Sequence, residues 1–111
     1  MISVFFGRGG LRLKGVLGHS ETMDPETLKH ELADLNEWTH EDNQLVKRYK
    51  FMDFTSALAF IVRVGVLAEK ANHHPTLENT YNRVTLRLCT HDAGNVVTAK
   101  DIDLAKAIER S

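Results

Sequence analysis

The longest repeat of apolar residues at intervals of three and four lies in the middle of the chain. It runs from Phe54 to about Ala71, and Arg63, Glu69 and Lys70 occupy polar positions within it. This spacing is typical of a helix with one buried face. It predicts a central buried helix whose apolar positions are Phe54, Ala57, Leu58, Ile61, Val64, Gly65 and Ala68.

Two shorter helices are predicted by capping residues as well as by apolar spacing. Asp24 suits the N-cap and Pro25 the first helical position, and an apolar stripe follows at Leu28, Leu32 and Leu35. Near the end of the sequence, Thr98 with Asp101 three residues later has the pattern of a capping box. The stripe of this last helix consists of Ile102, Ala105 and Ile108.

Alternating apolar and polar residues predict two pairs of strands. Segments 38–41 and 45–52 flank one turn, and segments 77–81 and 83–90 flank a second turn at Asn82. Hairpin-linked strands favour an antiparallel sheet, and the apolar stripes of the helices need a common face to cover. The predicted fold is an α+β two-layer sandwich in the order α-β-β-α-β-β-α, with three helices on one face of a four-stranded antiparallel sheet.

Length and composition restrict the class of protein. The chain has 111 residues, which suggests a single domain, predicted at 23–111. A lone cysteine, Cys89, excludes an internal disulfide and a cysteine-based zinc site, and it favours an intracellular protein. The net charge is −1 with scattered basic residues, and no apolar run approaches the roughly 20 residues that span a bilayer. We therefore expect no nucleic-acid partner and no membrane partner.

The first 22 residues form a predicted leader. Residues 1–20 contain Arg8, Arg12 and Lys14 without any acid, whereas the rest of the chain carries 11 basic and 15 acidic residues. Such a segment is either an organellar transit peptide or a flexible or loosely docked extension. Its five glycines would weaken the amphipathic helix of a transit peptide. The expected location is cytoplasmic, with a mitochondrial location left open by the basic leader.

Adjacent histidines precede a proline at the end of the central helix. A residue before proline is pushed out of the helical region, so the helix must end at or before His74. Glu69 lies one turn before His73 and could hydrogen-bond an imidazole. His91 follows the last predicted strand, whose end can meet the end of the central helix at one rim of the sandwich. Three histidines and a carboxylate are therefore candidates for one site.

Three simpler interpretations of these residues, and a zinc site, remain open at this stage. Imidazolium groups near a helix C-terminus are favourable by roughly 0.3 to 1 kcal/mol, so His73 and His74 could act only as caps. Asn72 could serve only to end the helix, and His91 could be satisfied within its own turn. Three histidines and a carboxylate could also hold zinc, although neighbouring residues rarely point the same way.

At these residues the sequence resembles the pterin-4a-carbinolamine dehydratase family. The family pattern matches Glu69-Lys70-Ala71-Asn72-His73-His74-Pro75, then Tyr81-Asn82-Arg83-Val84. It continues with Thr90-His91-Asp92-Ala93-Gly94 and Asp101-Ile102-Asp103-Leu104-Ala105. The resemblance extends from about Pro25 to Glu109 and leaves the leader uncovered.

This resemblance implies a hydro-lyase that converts a 4a-hydroxytetrahydropterin to quinonoid dihydropterin and so recycles the cofactor of aromatic amino acid hydroxylases. It implies that His73 and His74 act as general acid and base, and that His91 helps hold the pterin and its hydroxyl. No cofactor and no metal are implied. The substrate-binding residues implied are Glu69, Asn72, Pro75, Leu77, Thr90 and Asp92.

The sequence departs from the family pattern at two points. Leu77 stands where many members have tryptophan, and the loop at 95–97 is one residue longer than usual. The resemblance also implies a homo-oligomer, either a dimer or a tetramer, with the tetramer as our expectation. An alternative function is a dimerisation or interaction module of the transcriptional-coactivator type with little catalytic role.

Overall fold

The computed structural model describes residues 2–5 and 23–111. Its helices are α1 (Pro25–Ala33), α2 (Phe54–Ala71) and α3 (Ala99–Arg110), and a short 3-10 helix covers His91–Ala93. Its strands are β1 (Ile2–Phe5), β2 (Thr39–Glu41), β3 (Gln44–Lys50), β4 (Thr76–Thr80) and β5 (Arg83–Leu88). The predicted α+β fold, with three helices and an antiparallel sheet, is confirmed.

Side-chain caps define where the helices begin. The Asp24 carboxylate accepts from the Thr27 amide at 2.8 Å, and Pro25 follows as the first residue of α1. Asp53 caps α2 in the same way through the Ser56 amide. Thr98 and Asp101 form the predicted capping box at the start of α3. Because these signals are local, sequence alone was sufficient to place the helices.

The strands β1-β4-β5-β3-β2 form one sheet in which every neighbouring pair is antiparallel. Asp42 and Asn43 form the β2–β3 turn with φ values of 51° and 62°, as in a two-residue type I′ hairpin. Gln44 was predicted to lie in this turn, but it pairs with Glu41 at the start of β3. The second hairpin turns at Tyr81 and Asn82. Asn82 was predicted there, whereas Tyr81 was predicted to end the preceding strand, which stops at Thr80.

Strand β1 comes from the predicted leader. Its register on β4 runs from Ile2 opposite Asn79 to Phe5 opposite Thr76, so it forms a fifth strand at the sheet edge. Residues 1 and 6–22 lie outside the described part of the chain. The prediction of a flexible or targeting segment therefore falls largely on residues that the structure does not describe, and it stays a prediction.

The hydrophobic core lies between the helices and one face of the sheet. Leu45, Leu77, Leu86 and Leu88 contribute from the strands, and Val64 contributes from α2; each is at most 1% exposed. None of the helices among residues 23–111 is long and apolar enough to cross a membrane.

A partly buried polar cluster joins the sheet to the last turn of α3. Lys47 is only 8% exposed, and its Nζ lies 2.8 Å from Glu109 Oε2. The same carboxylate accepts from Trp38 Nε1 at 3.0 Å and from the Tyr49 hydroxyl at 3.3 Å. Burial acts to raise the pKa of Glu109, but the bonds from Lys47, Trp38 and Tyr49 outweigh it, and the pKa is lowered. Burial raises the pKa of the Tyr49 phenol, and the Glu109 charge adds to this effect.

Candidate active site

The C-terminus of α2 sends the two adjacent histidines to different partners. Asn72 ends the helix in the left-handed region with φ 52°, and its amide bonds to the carbonyls of Ala68 and Glu69. The His73 amide also bonds to the Ala68 carbonyl, at 3.1 Å. After this turn, the chain leaves the helix axis and continues through Pro75 into β4. The expected helix termination at Asn72 is confirmed.

His73 points at a buried carboxylate. Its Nε2 lies 2.5 Å from Asp101 Oδ1, and Asp101 is fully buried. The other oxygen, Oδ2, accepts from the Thr98 amide at 2.9 Å and from the Thr90 hydroxyl at 2.8 Å. An ionised Asp101 can only accept, and beside it Nε2 carries the proton of the bond to His73. The acceptor of a neutral His73 ring is then Nδ1.

The hydroxyl groups around Asp101 connect three elements. Thr90, just after β5, lies 2.7 Å from the Thr98 hydroxyl at the start of α3, and Asp101 bonds both residues. His73 brings in the end of α2. Burial raises the pKa of the neighbouring Cys89 thiol, and the negative charge of Asp101 contributes. The predicted meeting of the helix end with the strand end therefore takes place around Asp101.

His74 pairs with the glutamate that the sequence singled out. Its Nε2 lies 2.9 Å from Glu69 Oε1. The Glu69 side chain is 82% exposed, whereas that of His74 is only 12% exposed. Glu69 does contact an imidazole, but the ring belongs to His74 and not to His73, which is nearer in sequence. The two histidines thus have separate carboxylate partners, one buried and one in solvent.

His91 lies in the exposed 3-10 turn that follows β5. Its Nδ1 is 2.6 Å from the Asn95 side-chain oxygen within the same turn. Gly94 closes this turn with φ 89°, in the region that favours glycine. His91 is linked to His73 only indirectly. The residue before it in the chain, Thr90, donates a hydrogen bond to Asp101, and Asp101 contacts His73.

The remaining residues that were predicted to bind substrate include both buried and exposed side chains. Pro75, Leu77 and Thr90 are buried, and Leu77 belongs to the hydrophobic core. Asn72 and Asp92 are exposed. A groove of about 620 Å³ between α2 and α3 is lined by Asn72 and His73, together with residues of both helices. The substrate-binding roles of these residues stay predictions.

Sequence reasoning recognised Asp101 as a capping residue and missed its contact with His73. The chemistry of a carboxylate could have indicated this contact, because a capping carboxylate uses one oxygen and leaves the other available to a second donor. The described residues contain no cluster of three or more metal-ligating side chains.

Comparison with known proteins identifies the family of the chain. A family model described as pterin 4 alpha carbinolamine dehydratase matches residues 21–111. A provisionally named pterin-4-alpha-carbinolamine dehydratase of Opitutus terrae is 49% identical over 79 residues, which cover 71% of this chain and 81% of the relative. One from Sulfolobus acidocaldarius, also provisionally named, is 39% identical over 88 residues, which cover 79% and 96% of the two chains.

A crystal structure from Brucella melitensis has the same fold. It is described as a transcriptional coactivator/pterin dehydratase, and it superposes with a TM-score of 0.76 at 33% identity. The match covers 81% of this chain and 97% of the other. The chain belongs to the pterin 4 alpha carbinolamine dehydratase family.

Proposed function

We propose that this protein dehydrates a 4a-hydroxytetrahydropterin to quinonoid dihydropterin and thereby recycles the cofactor of aromatic amino acid hydroxylases. The observation that carries the proposal is the pairing of His73 with the buried carboxylate of Asp101 at 2.5 Å. A carboxylate held by two further donors fixes the orientation and tautomer of the imidazole. Such an arrangement suits proton transfer by a positioned side chain.

The reaction breaks the bond between C4a and its hydroxyl oxygen. The leaving oxygen takes a proton and departs as water, and the neighbouring ring nitrogen loses a proton as its double bond to C4a forms. One proton is therefore delivered and one removed, so the pterin needs an acid and a base. We assign this work to His73 and His74 and the binding of the pterin hydroxyl to His91. Glu69 orients His74 through its 2.9 Å contact.

The direct test is an assay with carbinolamine generated in situ by a hydroxylase. We expect the protein to accelerate formation of quinonoid dihydropterin over the spontaneous reaction by at least about 10²-fold. The matched control is the double variant His73→Ala with His74→Ala, which adds the same protein to the assay without the two imidazoles. A rate equal to the spontaneous rate would refute the proposal and favour an interaction module.

The proposal includes self-assembly. Helix α2 exposes a row of apolar side chains at intervals of four, namely Phe54, Leu58, Val62 and Val66, which are 36%, 44%, 61% and 62% exposed. We place a second copy of the chain on this row, because a symmetric contact would cover the row on both copies at once. Combined with a second contact at a sheet edge, closed symmetry gives a homotetramer.

A further inference from the structure

We propose that the groove between α2 and α3 binds an anionic group on the side chain of the pterin. The inference rests on the proposed function, because it places the pterin ring at the His73 end of the groove. It goes beyond that function by naming the substrate class, a pterin with a phosphate or carboxylate on its substituent.

The groove leads away from His73 along both helices. The end of α2 meets the start of α3 where His73 contacts Asp101. Ten residues earlier in α2, Arg63 Nε donates to Ser111 Oγ at 3.2 Å, so the two helices run antiparallel. Lys100 and Arg110 both line the groove, and ten helical residues separate them by about 15 Å. A groove of about 620 Å³ and this length has room for a substituent extending from a ring at His73.

The charges along the groove differ from those of the whole molecule. Lys70, Lys100 and Arg110 are cationic lining residues, and Asp103 is the carboxylate that lines it with them. The whole chain, by contrast, has a net charge of −1. A cleft whose lining charges are mostly of one sign, here three cationic side chains against one carboxylate, concentrates ligands of the opposite sign.

The lining between these charges is apolar. Leu67, Leu104 and Ala107 contribute to it, and Leu104 is only 2% exposed. A carbon chain that ends in an anion matches an apolar floor with cationic side chains around it. A second cavity, of about 390 Å³, lacks this character, because its lining is mainly the apolar residues Met23, Pro25, Leu28, Leu32, Val96 and Val97.

The test uses ligands that differ only in charge. The dissociation constants of 7,8-dihydroneopterin and its 3′-phosphate are measured on the full chain by titration calorimetry at low and high salt. We expect the phosphate to bind about tenfold more tightly at low salt, and the preference to shrink as salt screens the charges. 7,8-Dihydrofolate, with its carboxylates on a longer substituent, tests the distal end through Arg110→Gln, which should weaken its binding.

Variants that remove lysine charges test whether the preference for the phosphate ligand arises in the groove. In a Lys70→Gln, Lys100→Gln double variant, we expect the preference for the phosphate to fall below about threefold. Lys50→Gln is the matched control, because Lys50 is an exposed lysine of β3 outside the groove, and it should retain the full preference. Circular dichroism confirms that each variant is folded.

Equal affinity of the parent protein for both ligands would overturn the inference, and so would an unchanged preference in the double variant. These outcomes are separable from failure of the proposed function. If the protein turns over the carbinolamine but binds both ligands equally, only the inference of an anion site is refuted. A preference without turnover refutes the dehydratase function and supports an anion-binding groove.

Discussion

Asp101 uses its two carboxylate oxygens for different purposes. One accepts from the Thr98 amide and the Thr90 hydroxyl, and the other accepts from His73. The residue is thus a structural cap and a positioning residue for a candidate catalytic ring. Variants of Asp101 must therefore be compared with variants of an aspartate that only caps a helix.

Asp101→Asn should lower turnover by about tenfold or more, because the amide can present a donor to His73 and disturb its tautomer. We expect a loss of stability of about 1 to 3 kcal/mol from the buried bonds. Asp53→Asn is the control, since Asp53 caps α2 through Ser56. Steady-state kinetics and urea unfolding separate the effects. If both variants lose stability and neither loses turnover, Asp101 is only a cap.

His73→Ala and His74→Ala should each lower kcat by roughly 10²-fold or more with the fold intact, because general acid or base catalysis contributes 10² to 10⁴. His91→Ala should raise KM more than it lowers kcat if His91 mainly positions the substrate. Steady-state kinetics and melting curves provide the measurements.

The opposite pattern would assign the histidine pair to the helix end. In that case both variants would keep nearly parental turnover, and only the melting temperature would shift, by the equivalent of about 1 kcal/mol or less.

The contact between His73 and Asp101 joins residues 28 positions apart, and local patterns carry no information at that distance. The sequence could therefore name the three histidines and Glu69 but could not choose partners for them. The pairing of Glu69 with His74 depends on the left-handed turn at Asn72, which redirects the chain.

At the scale of secondary-structure elements, caps and apolar spacing were sufficient to predict all three described helices. The predicted buried positions of α2 were partly wrong, because Phe54 and Leu58 are 36% and 44% exposed. The boundaries of strand β3 were harder to predict. Gln44 was predicted to lie in the turn because it is polar and follows Asp42 and Asn43. The turn has only two residues, however, and Gln44 pairs with Glu41 in the sheet. Lys47 was also unexpected, because its partner Glu109 lies 62 residues away.

The link between β3 and α3 predicts a dependence of stability on pH. Since the pKa of Glu109 is lowered in the fold, its contribution is complete above the ordinary value of 4.5 and is lost as the pH falls through the lowered pKa. Glu109→Gln should reduce the free energy of unfolding at neutral pH by about 2 kcal/mol, because Lys47 and Trp38 lose a charged acceptor.

Urea unfolding at neutral and acidic pH measures this difference. The gap between parent and variant should narrow as the pH falls below the folded pKa of Glu109, where the parent carboxylate is also neutral. A gap that stays constant with pH would show that the lost bonds, and not the charge, hold β3 to α3.

At the scale of the whole molecule, the exposed row on α2 is the feature that the folded chain leaves without a partner among its described residues. Leu58→Glu with Val62→Glu should dissociate the assembly, because burying two carboxylates at a symmetric contact is strongly unfavourable. Light scattering gives the particle mass. Tyr81→Asn is the control, since Tyr81 is 63% exposed, belongs to the β4–β5 turn and not to the row on α2, and has a φ of 50°, which suits asparagine.

Parent protein that scatters as a 12.5 kDa particle at micromolar concentration would contradict the proposed assembly. A double variant that keeps the parental mass would place the contact elsewhere on the surface.

Strand β1 affects the order in which the sheet assembles. The two hairpins join neighbouring segments, whereas pairing of β1 with β4 closes a loop of about 70 residues. Loop closure over such a distance is entropically unfavourable until its partner strand is in place. On a ribosome, β1 would thus emerge before the other four strands of the sheet and join it last, after synthesis has passed β4 and β5.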